Sequence, residues 1–200
     1  MRPKELFDIK TGERKYLNEE ERKAFLDATA YEERDIKFFS RFLYYTGART
    51  NEALSITPMS LDFNDKGVII RTLKQGKDKD GKEKNRYRFI ELPDAFLENF
   101  SDNYQLKKNQ SIQKNKDLKI WNFTDRTGHN YVKKVMAKAE ITGKKACPRG
   151  LRHALGVALV LNRVPLPRVK EWLGHADIKN TEIYTYVMGN ERREMMARIW

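Results

Sequence analysis

One tyrosine and several basic side chains in this sequence are of the types needed for nucleophilic attack on a phosphate ester. The tyrosine is Tyr184, and the basic residues are Arg49, Lys74, Arg149, Arg152 and His175. A tyrosine hydroxyl has a pKa of about 10, so it needs positive charge nearby before it can attack phosphorus. Arginine and histidine donors would provide that field, provided that the fold brings these distant parts of the chain together.

Arg49 directly follows a glycine turn, in the segment Thr46-Gly47-Ala48-Arg49-Thr50-Asn51-Glu52-Ala53-Leu54. Helix N-termini attract anions, and an arginine there adds a bidentate fork for phosphate. The alternative is a surface arginine that pairs with Glu52.

Arg149 and Arg152 are three residues apart, in the segment Cys147-Pro148-Arg149-Gly150-Leu151-Arg152-His153. Two like charges on one helix face repel, so a shared anionic ligand would explain them. The apolar helix that follows predicts that Arg152 is at least partly buried and needs a partner. Two independent surface arginines are the alternative.

His175 follows a glycine stop, and Tyr184 lies on a short predicted helix nine residues later. His175 could donate to a phosphate oxygen, whereas the alternative for Tyr184 is an amphipathic core tyrosine. Lys74 ends the first strand of a predicted hairpin, from which a lysine can reach a phosphate or a base edge. The alternative for Lys74 is a solvated loop charge.

The elements that must position these residues are mostly helices. Asn18 predicts an N-cap with Glu21 completing a capping box, and Gly47 predicts a helix C-terminus. The spacing of apolar residues and the positions of helix breakers predict helices at about 19–26, 33–45, 51–54, 94–106, 148–161, 165–173, 181–187 and 191–200. The helix at 51–54 is predicted to be capped by Thr50 or Asn51. A further helix is predicted to begin at a cap formed by Thr124 or Asp125.

A change of residue pattern in the middle of the chain predicts a β-hairpin. Residues 68–73 and 87–92 read as its strands, with a very basic loop at 74–86 between them. Residues 120–123 predict a further short strand, and the lysine-rich stretch 107–119 is the most disordered in composition. The fold class is therefore α+β, mostly helical with a small antiparallel sheet.

The charge of the chain favours a polyanionic partner. It has 40 Lys+Arg against 28 Asp+Glu, a formal net charge of +12, and binding to a phosphate backbone is driven by counterion release. A merely soluble basic protein is the alternative, and a membrane surface is disfavoured because no basic amphipathic helix stands out. There is no apolar run near the roughly 18 residues of a membrane span, and no signal peptide. The single cysteine, Cys147, fits a reducing cytoplasm.

Taken together and in order, these segments resemble the catalytic domain of tyrosine recombinases, the phage integrase family. Residues 46–54 resemble its first arginine box, Leu151-Arg152-His153 the second, and Leu173-Gly174-His175 with Tyr184 the third box and nucleophile. The hairpin with Lys74 falls where the family has its catalytic lysine. The resemblance runs from about Tyr16 to Val187.

The resemblance implies site-specific cleavage and rejoining of double-stranded DNA through a 3′-phosphotyrosyl intermediate. Tyr184 would attack the scissile phosphate, while Arg49 and Arg152 would hold its non-bridging oxygens. Lys74, with Lys77 as a rival, would protonate the leaving 5′ oxygen, and His175 would donate a further hydrogen bond. The resemblance implies no metal and no ATP, and it implies a tetramer on paired DNA sites.

Two features depart from the family pattern. Arg149 stands where the family usually has His or Lys, and an arginine cannot act as a general base. Only a short arm, residues 1–16, precedes a catalytic domain at 17–200, so no N-terminal clamp domain is evident. Both departures leave open a catalytically weak or inactive DNA-binding accessory protein. A type IB topoisomerase-like enzyme is disfavoured by the Leu-Gly-His box.

Overall fold

The computed structural model describes residues 3–72 and 86–186, and positions 193, 196, 197 and 199 singly. The helices in these ranges are α1 Glu19–Ala28, α2 Arg34–Thr46, α3 Thr50–Ala53, α4 Asp94–Tyr104, α5 Leu106–Ser111, α6 Asp125–Lys138, α7 Pro148–Leu161, α8 Leu166–Leu173 and α9 Lys179–Glu182. The strands are β1 Leu61–Asp62, β2 Gly67–Thr72 and β3 Arg86–Glu91, and 3₁₀ turns lie at Thr29–Tyr31, Pro58–Ser60, Gly143–Lys145 and Ile183–Thr185. The predicted α+β class is confirmed.

Local capping signals set the helix ends that matter for the site. Asn18 accepts from the Glu21 amide while the Glu21 carboxylate accepts from the Asn18 amide, which confirms the capping box. Gly47 and Gly174 end α2 and α8 in the left-handed region, at φ of 60° and 63°. That conformation costs a glycine little, so the chain can turn sharply just before Arg49 and just before His175.

Three local predictions are wrong. The N-cap of α3 is Arg49 rather than Thr50 or Asn51. Residues 120–123 form no strand, although Trp121 is buried. Residues 107–119 are not disordered throughout, because α5 occupies residues 107–111 and Gln110 Nε2 donates to the main-chain oxygens of Pro58 and Leu61.

The core is built around α2, whose buried residues recur at helical spacing. Phe38, Phe39 and Phe42 contact a cluster of aromatic rings from α4 and the 120–123 segment, including Phe100 and Trp121. Rings of this size bury large apolar areas and interlock edge to face. These contacts fix the position of α2, so the turn that carries Arg49 starts from a well-positioned helix end.

The sheet is antiparallel in the order β1-β2-β3. Val68 lies opposite Ile90 and Ile70 opposite Arg88, and all four face the core. A strand that alternates between faces therefore places an arginine, Arg88, in an inward position that an apolar residue would usually occupy. The hairpin tip predicted to carry Lys74 lies outside the described residues.

The segment before α1 is folded back on itself by a bridge between Phe7 and Arg14. Leu6 and Phe7 are buried in the same core as the helices, and Lys144 forms an ion pair with Asp8. The boundary after residue 16 stays a prediction. No helix in the described parts of the chain combines the length and apolar character needed to cross a membrane.

Candidate active site

Arg49 is held at the start of α3 by a carboxylate one turn later. Glu52 accepts the Arg49 main-chain N–H at 3.0 Å and its Nη1 at 2.8 Å. The Arg49 side chain remains 36% exposed while that of Glu52 is 1% exposed. The pairing with Glu52 that the sequence offered as an alternative is therefore real, but it anchors Arg49 and leaves part of its side chain exposed.

Glu52 is shared with a second arginine. Arg88 Nη2 donates to its other carboxylate oxygen at 2.7 Å. Burial alone would raise the pKa of Glu52, but the charges and hydrogen bonds of Arg88 and Arg49 outweigh it and lower that pKa below its ordinary value. The carboxylate is therefore ionised at neutral pH and binds both arginines.

Arg152 lies on the buried face of α7, as predicted. Its Nη1 donates to the Gly47 carbonyl at 2.6 Å and its Nη2 to the Leu173 carbonyl. Burial and the neighbouring Arg49 lower the pKa of Arg152 to about 10, and it stays charged at neutral pH. The guanidinium thus ties together the two glycine turns that precede Arg49 and His175.

Tyr184 lies in the last 3₁₀ turn and is fully buried. Its ring stacks on His175 with centroids 6.1 Å apart, and its hydroxyl lies 3.2 Å from His153 Nδ1. His175 Nδ1 in turn lies 2.9 Å from the Thr181 hydroxyl. Tyrosine, both histidines and Arg152 therefore converge, although they come from α7 and from the segment after α8.

Burial controls the protonation of this cluster. It raises the pKa of Tyr184 to about 12, against the lowering effect of Arg152 and Arg49. It lowers the pKa of His153 to about 4 and that of His175 to about 3, with Arg152 adding to both shifts. The histidines are therefore neutral at pH 7 and offer hydrogen bonds rather than charge. Among the described residues, the positive field on the Tyr184 hydroxyl comes from Arg152 and Arg49.

The other predicted residues are placed differently. Arg149 lies exposed in the first turn of α7, whereas Arg152 faces the core. The positive charge of Arg149 contributes to the lowered pKa of His153. Lys74 and its rival Lys77 lie outside the described residues.

Two clefts open beside predicted site residues, one at Arg49 and the other at His175. One of about 670 Å³ is lined by Arg49, Glu52 and Lys119 among others. The second, of about 320 Å³, is lined by Arg86, Lys170 and His175 together with neighbours on β3 and α8. Each cleft offers basic side chains next to a candidate catalytic residue, which is the arrangement expected for a phosphate backbone.

The Tyr184 ring fits only because α7 has a glycine beside it. A Cβ on Gly156 would lie 2.5–2.7 Å from three ring atoms. Gly156→Ala should therefore destabilise the protein by about 1–3 kcal/mol through overpacking, measured by denaturant unfolding.

A double-mutant cycle supplies the control for this prediction. In a Tyr184→Ala background the clash is gone, so Gly156→Ala should become stabilising by up to about 1 kcal/mol, because alanine is the better helix former. A Gly156→Ala variant as stable as the parent when Tyr184 is present would show that the ring is not seated against α7.

Comparison with known proteins identifies the family of this chain. Residues 15–191 match the model described as the phage integrase family. The chain belongs to the phage integrase family. Similar members are the Resolvase of Escherichia coli strain K12, with 29% identity over 72% of this chain and 62% of that protein, and the tyrosine recombinase XerD of Chlamydia pneumoniae, with 35% identity over 72% of this chain and 46% of that protein. The chain thus spans about half to two thirds of the length of such relatives.

Solved structures show the same fold as this phage integrase family member. The crystal structure of XerA recombinase matches with a TM-score of 0.72 and 24% identity, covering 92% of this chain and 64% of that one. XerH, solved with palindromic difH substrate as a post-cleavage complex, matches with a TM-score of 0.71 and 24% identity, covering 92% and 53%.

Two residues of the candidate site were not singled out from the sequence. His153 was noted only as part of the second arginine box, and no local pattern predicts its contact with Tyr184. Arg88 did carry a signal, because strand alternation from Ile90 places it on the buried face. A charged residue at an inward strand position was the clue.

Proposed function

We propose that this chain is the catalytic part of a site-specific DNA recombinase, which cuts and rejoins DNA through a 3′-phosphotyrosyl intermediate. One observation carries the proposal: Tyr184 lies against His175 and His153, and Arg152 and Arg49 oppose the rise in its pKa that burial causes. Their placement is the one needed to stabilise a phenolate and the phosphate that it attacks.

Arg49 and Arg152 would clamp the non-bridging oxygens of the scissile phosphate. A guanidinium has five N–H donors, and the contacts to Gly47 and Leu173 engage only some of those on Arg152. The remaining N–H groups can donate to the phosphate oxygens on which negative charge develops in the pentavalent transition state. Because these cations are already fixed by carbonyls and by Glu52, little reorganisation is needed when the phosphate arrives.

The remaining predicted residues would act around that phosphate. His175 donates from Nε2 when its Nδ1 accepts from Thr181, Arg149 adds a donor from the exposed end of α7, and Lys74 protonates the leaving 5′ oxygen. The roles of His175 and Lys74 follow the family pattern, whereas Arg149 stands where the family usually has His or Lys.

Tyr184 has to change its surroundings before it reacts, since its side chain is fully buried. Movement of the short turn Ile183–Thr185 would bring the hydroxyl to a bound phosphate. The proton cannot go to Arg149, which stays protonated. The neutral His153 is the hydroxyl's hydrogen-bond partner, and an approaching phosphate anion would raise the pKa of that imidazole.

Double-stranded DNA is the proposed partner. The net charge of +12 favours it, and the similar XerH was solved bound to its difH substrate. A tetramer on paired sites would bring the cleaved ends together for exchange. Action in the cytoplasm remains a prediction from the sequence.

The test uses DNA without assuming a target sequence. The protein is incubated in EDTA and without ATP with supercoiled plasmid and with a pool of random-sequence duplexes, then denatured with detergent. We expect covalently captured DNA, and after nuclease trimming a nucleotide on the peptide that contains Tyr184. Tight DNA binding with no captured DNA from either substrate would contradict the proposal.

A further inference from the structure

The Arg88 side chain joins three separate parts of the fold. It is 5% exposed, and its guanidinium donates to the Glu52 carboxylate at 2.7 Å, to the Thr72 hydroxyl at 2.8 Å and to the Trp172 carbonyl at 2.9 Å. Those partners belong to α3, the end of β2 and the last turn of α8. All three of its nitrogens are used, and each contacts a different element.

Each partner of Arg88 either binds a residue proposed to act on the phosphate or lies within three positions of one in the sequence. Glu52 binds Arg49 through two hydrogen bonds. Thr72 is the last residue of β2, two positions before Lys74. Trp172 lies three residues before His175.

The chain also passes very close to this guanidinium. A Cβ on Gly174 would lie 2.8 Å from Arg88 Nη1 and 3.0 Å from the Thr72 hydroxyl. The turn that carries His175 is therefore packed directly on the Arg88–Thr72 hydrogen bond. A shift of Arg88 would be transmitted to that turn by contact.

Burying a charge here is costly, and an apolar pair of similar volume would often be as stable. An apolar pair cannot make directional hydrogen bonds. The planar guanidinium of an arginine donates to three acceptors at fixed angles, whereas a lysine ammonium does not. Arg88 itself is too deeply buried and too fully engaged to reach a phosphate. Its geometry therefore fits the positioning of other groups.

We propose that Arg88 is a positioning residue that sets Arg49, the end of β2 at Thr72 and the His175 turn in register with one another. The proposal rests on the proposed recombinase function and names the group that aligns its parts. Because a misplacement of about 1 Å can cost about 100-fold in rate, loss of Arg88 should impair strand cleavage far more than DNA binding.

The test compares Arg88→Met and Arg88→Lys with Arg168→Met. Arg168 makes an exposed ion pair with Glu171 on α8, so it controls for the loss of an arginine from the fold. We expect Arg88→Met to slow single-turnover DNA capture in EDTA about 100-fold with DNA affinity within about threefold. Arg88→Lys should rescue little, and Arg168→Met should match the parent.

Two readouts separate positioning from a general loss of stability. Without Arg88, Glu52 loses one of its two cationic partners, so the acid limb of the cleavage rate should move to higher pH in Arg88→Met and not in Arg88→Met with Glu52→Gln. The effects of Arg88→Met and Glu52→Gln on rate should also be strongly non-additive. Additive effects with an unmoved pH profile would overturn the proposal.

If Arg88→Met does not fold, Thr72→Val removes a single acceptor of Arg88 and decides the matter. It should slow capture at least about tenfold with DNA affinity retained, and a parental rate would overturn the proposal. Failure of the parent protein to capture DNA would instead overturn the recombinase function, and this proposal with it. If the parent captures DNA and every Arg88 and Thr72 variant captures it at the same rate, only the positioning role of Arg88 would be overturned.

Discussion

Tyr184→Phe should abolish covalent capture of DNA, with a fall of up to about 10⁶-fold, the scale seen when an enzyme loses its nucleophile. The phenyl ring can keep its stacking on His175 and its seat against Gly156. The hydrogen bond to His153 is lost, which should cost about 0.5–1.5 kcal/mol of stability. The measurement is detergent-resistant DNA capture beside equilibrium binding at several salt concentrations.

Tyr186→Phe is the matched control for this experiment. Tyr186 lies two residues further along and is 53% exposed, so loss of its hydroxyl should change neither capture nor binding. Both variants should keep the parental dependence of affinity on salt, because neither removes a phosphate-neutralising cation. Undiminished capture by Tyr184→Phe would assign the nucleophile to another residue.

Glu52→Gln should lower the free energy of unfolding by about 3–5 kcal/mol, since it leaves the buried Arg88 without its counter-charge. For a chain of this size that corresponds to a fall in Tm of roughly 6–20 °C. The carboxylate is fully buried and accepts from Arg49 and Arg88. Thermal and denaturant unfolding measure the effect.

Glu171→Gln provides the comparison for Glu52, because its pair with Arg168 is solvent-exposed. It should change stability by less than about 1 kcal/mol. Replacing Glu52 and Arg88 together by methionine should recover much of the loss, as expected for removal of a complete buried pair. Equal effects of Glu52→Gln and Glu171→Gln would show that the network contributes no more than a surface ion pair.

The pH dependence of the Glu52 effect has a definite sign. The folded state lowers the pKa of Glu52, so its stabilising contribution is complete above the ordinary carboxyl pKa and is lost as the pH falls through the folded value. The difference in stability between parent and Glu52→Gln should therefore shrink in acid. A difference that grew as the pH fell would contradict the assignment of an ionised carboxylate.

Much of the fold and several site positions could be predicted from local features of the sequence. Gly47 and Gly174 mark helix ends because glycine adopts positive φ at little cost, and Asn18 with Glu21 marks a helix start. The strand-forming runs at 68–73 and 87–92, with a turn signal between them, predicted the hairpin. These signals act over a few residues, so they can be read without the tertiary structure.

Predictions from local composition were wrong where contacts with distant parts of the chain determine the structure. The stretch 107–119 is polar and rich in lysine, yet Gln110 bonds to main-chain oxygens about 50 residues away, at separations of 52 and 49 positions, and Leu106 at the start of α5 is buried. Extended strand propensity at 120–123 was likewise overridden, because Trp121 packs among the core rings rather than pairing in a sheet.

By itself the sequence determined which residue types were present, their order and the local turns that carry them, and hence the resemblance to the family. Only the tertiary structure decided that Glu52 serves Arg49 and Arg88 together, that Arg152 is held by two glycine-turn carbonyls, and that Tyr184 lies buried against His153. Two of the three partners of Arg88, Glu52 and Trp172, are 36 and 84 positions away. Contacts at that separation depend on how helices and sheet pack, and packing is a property of the whole core rather than of any segment.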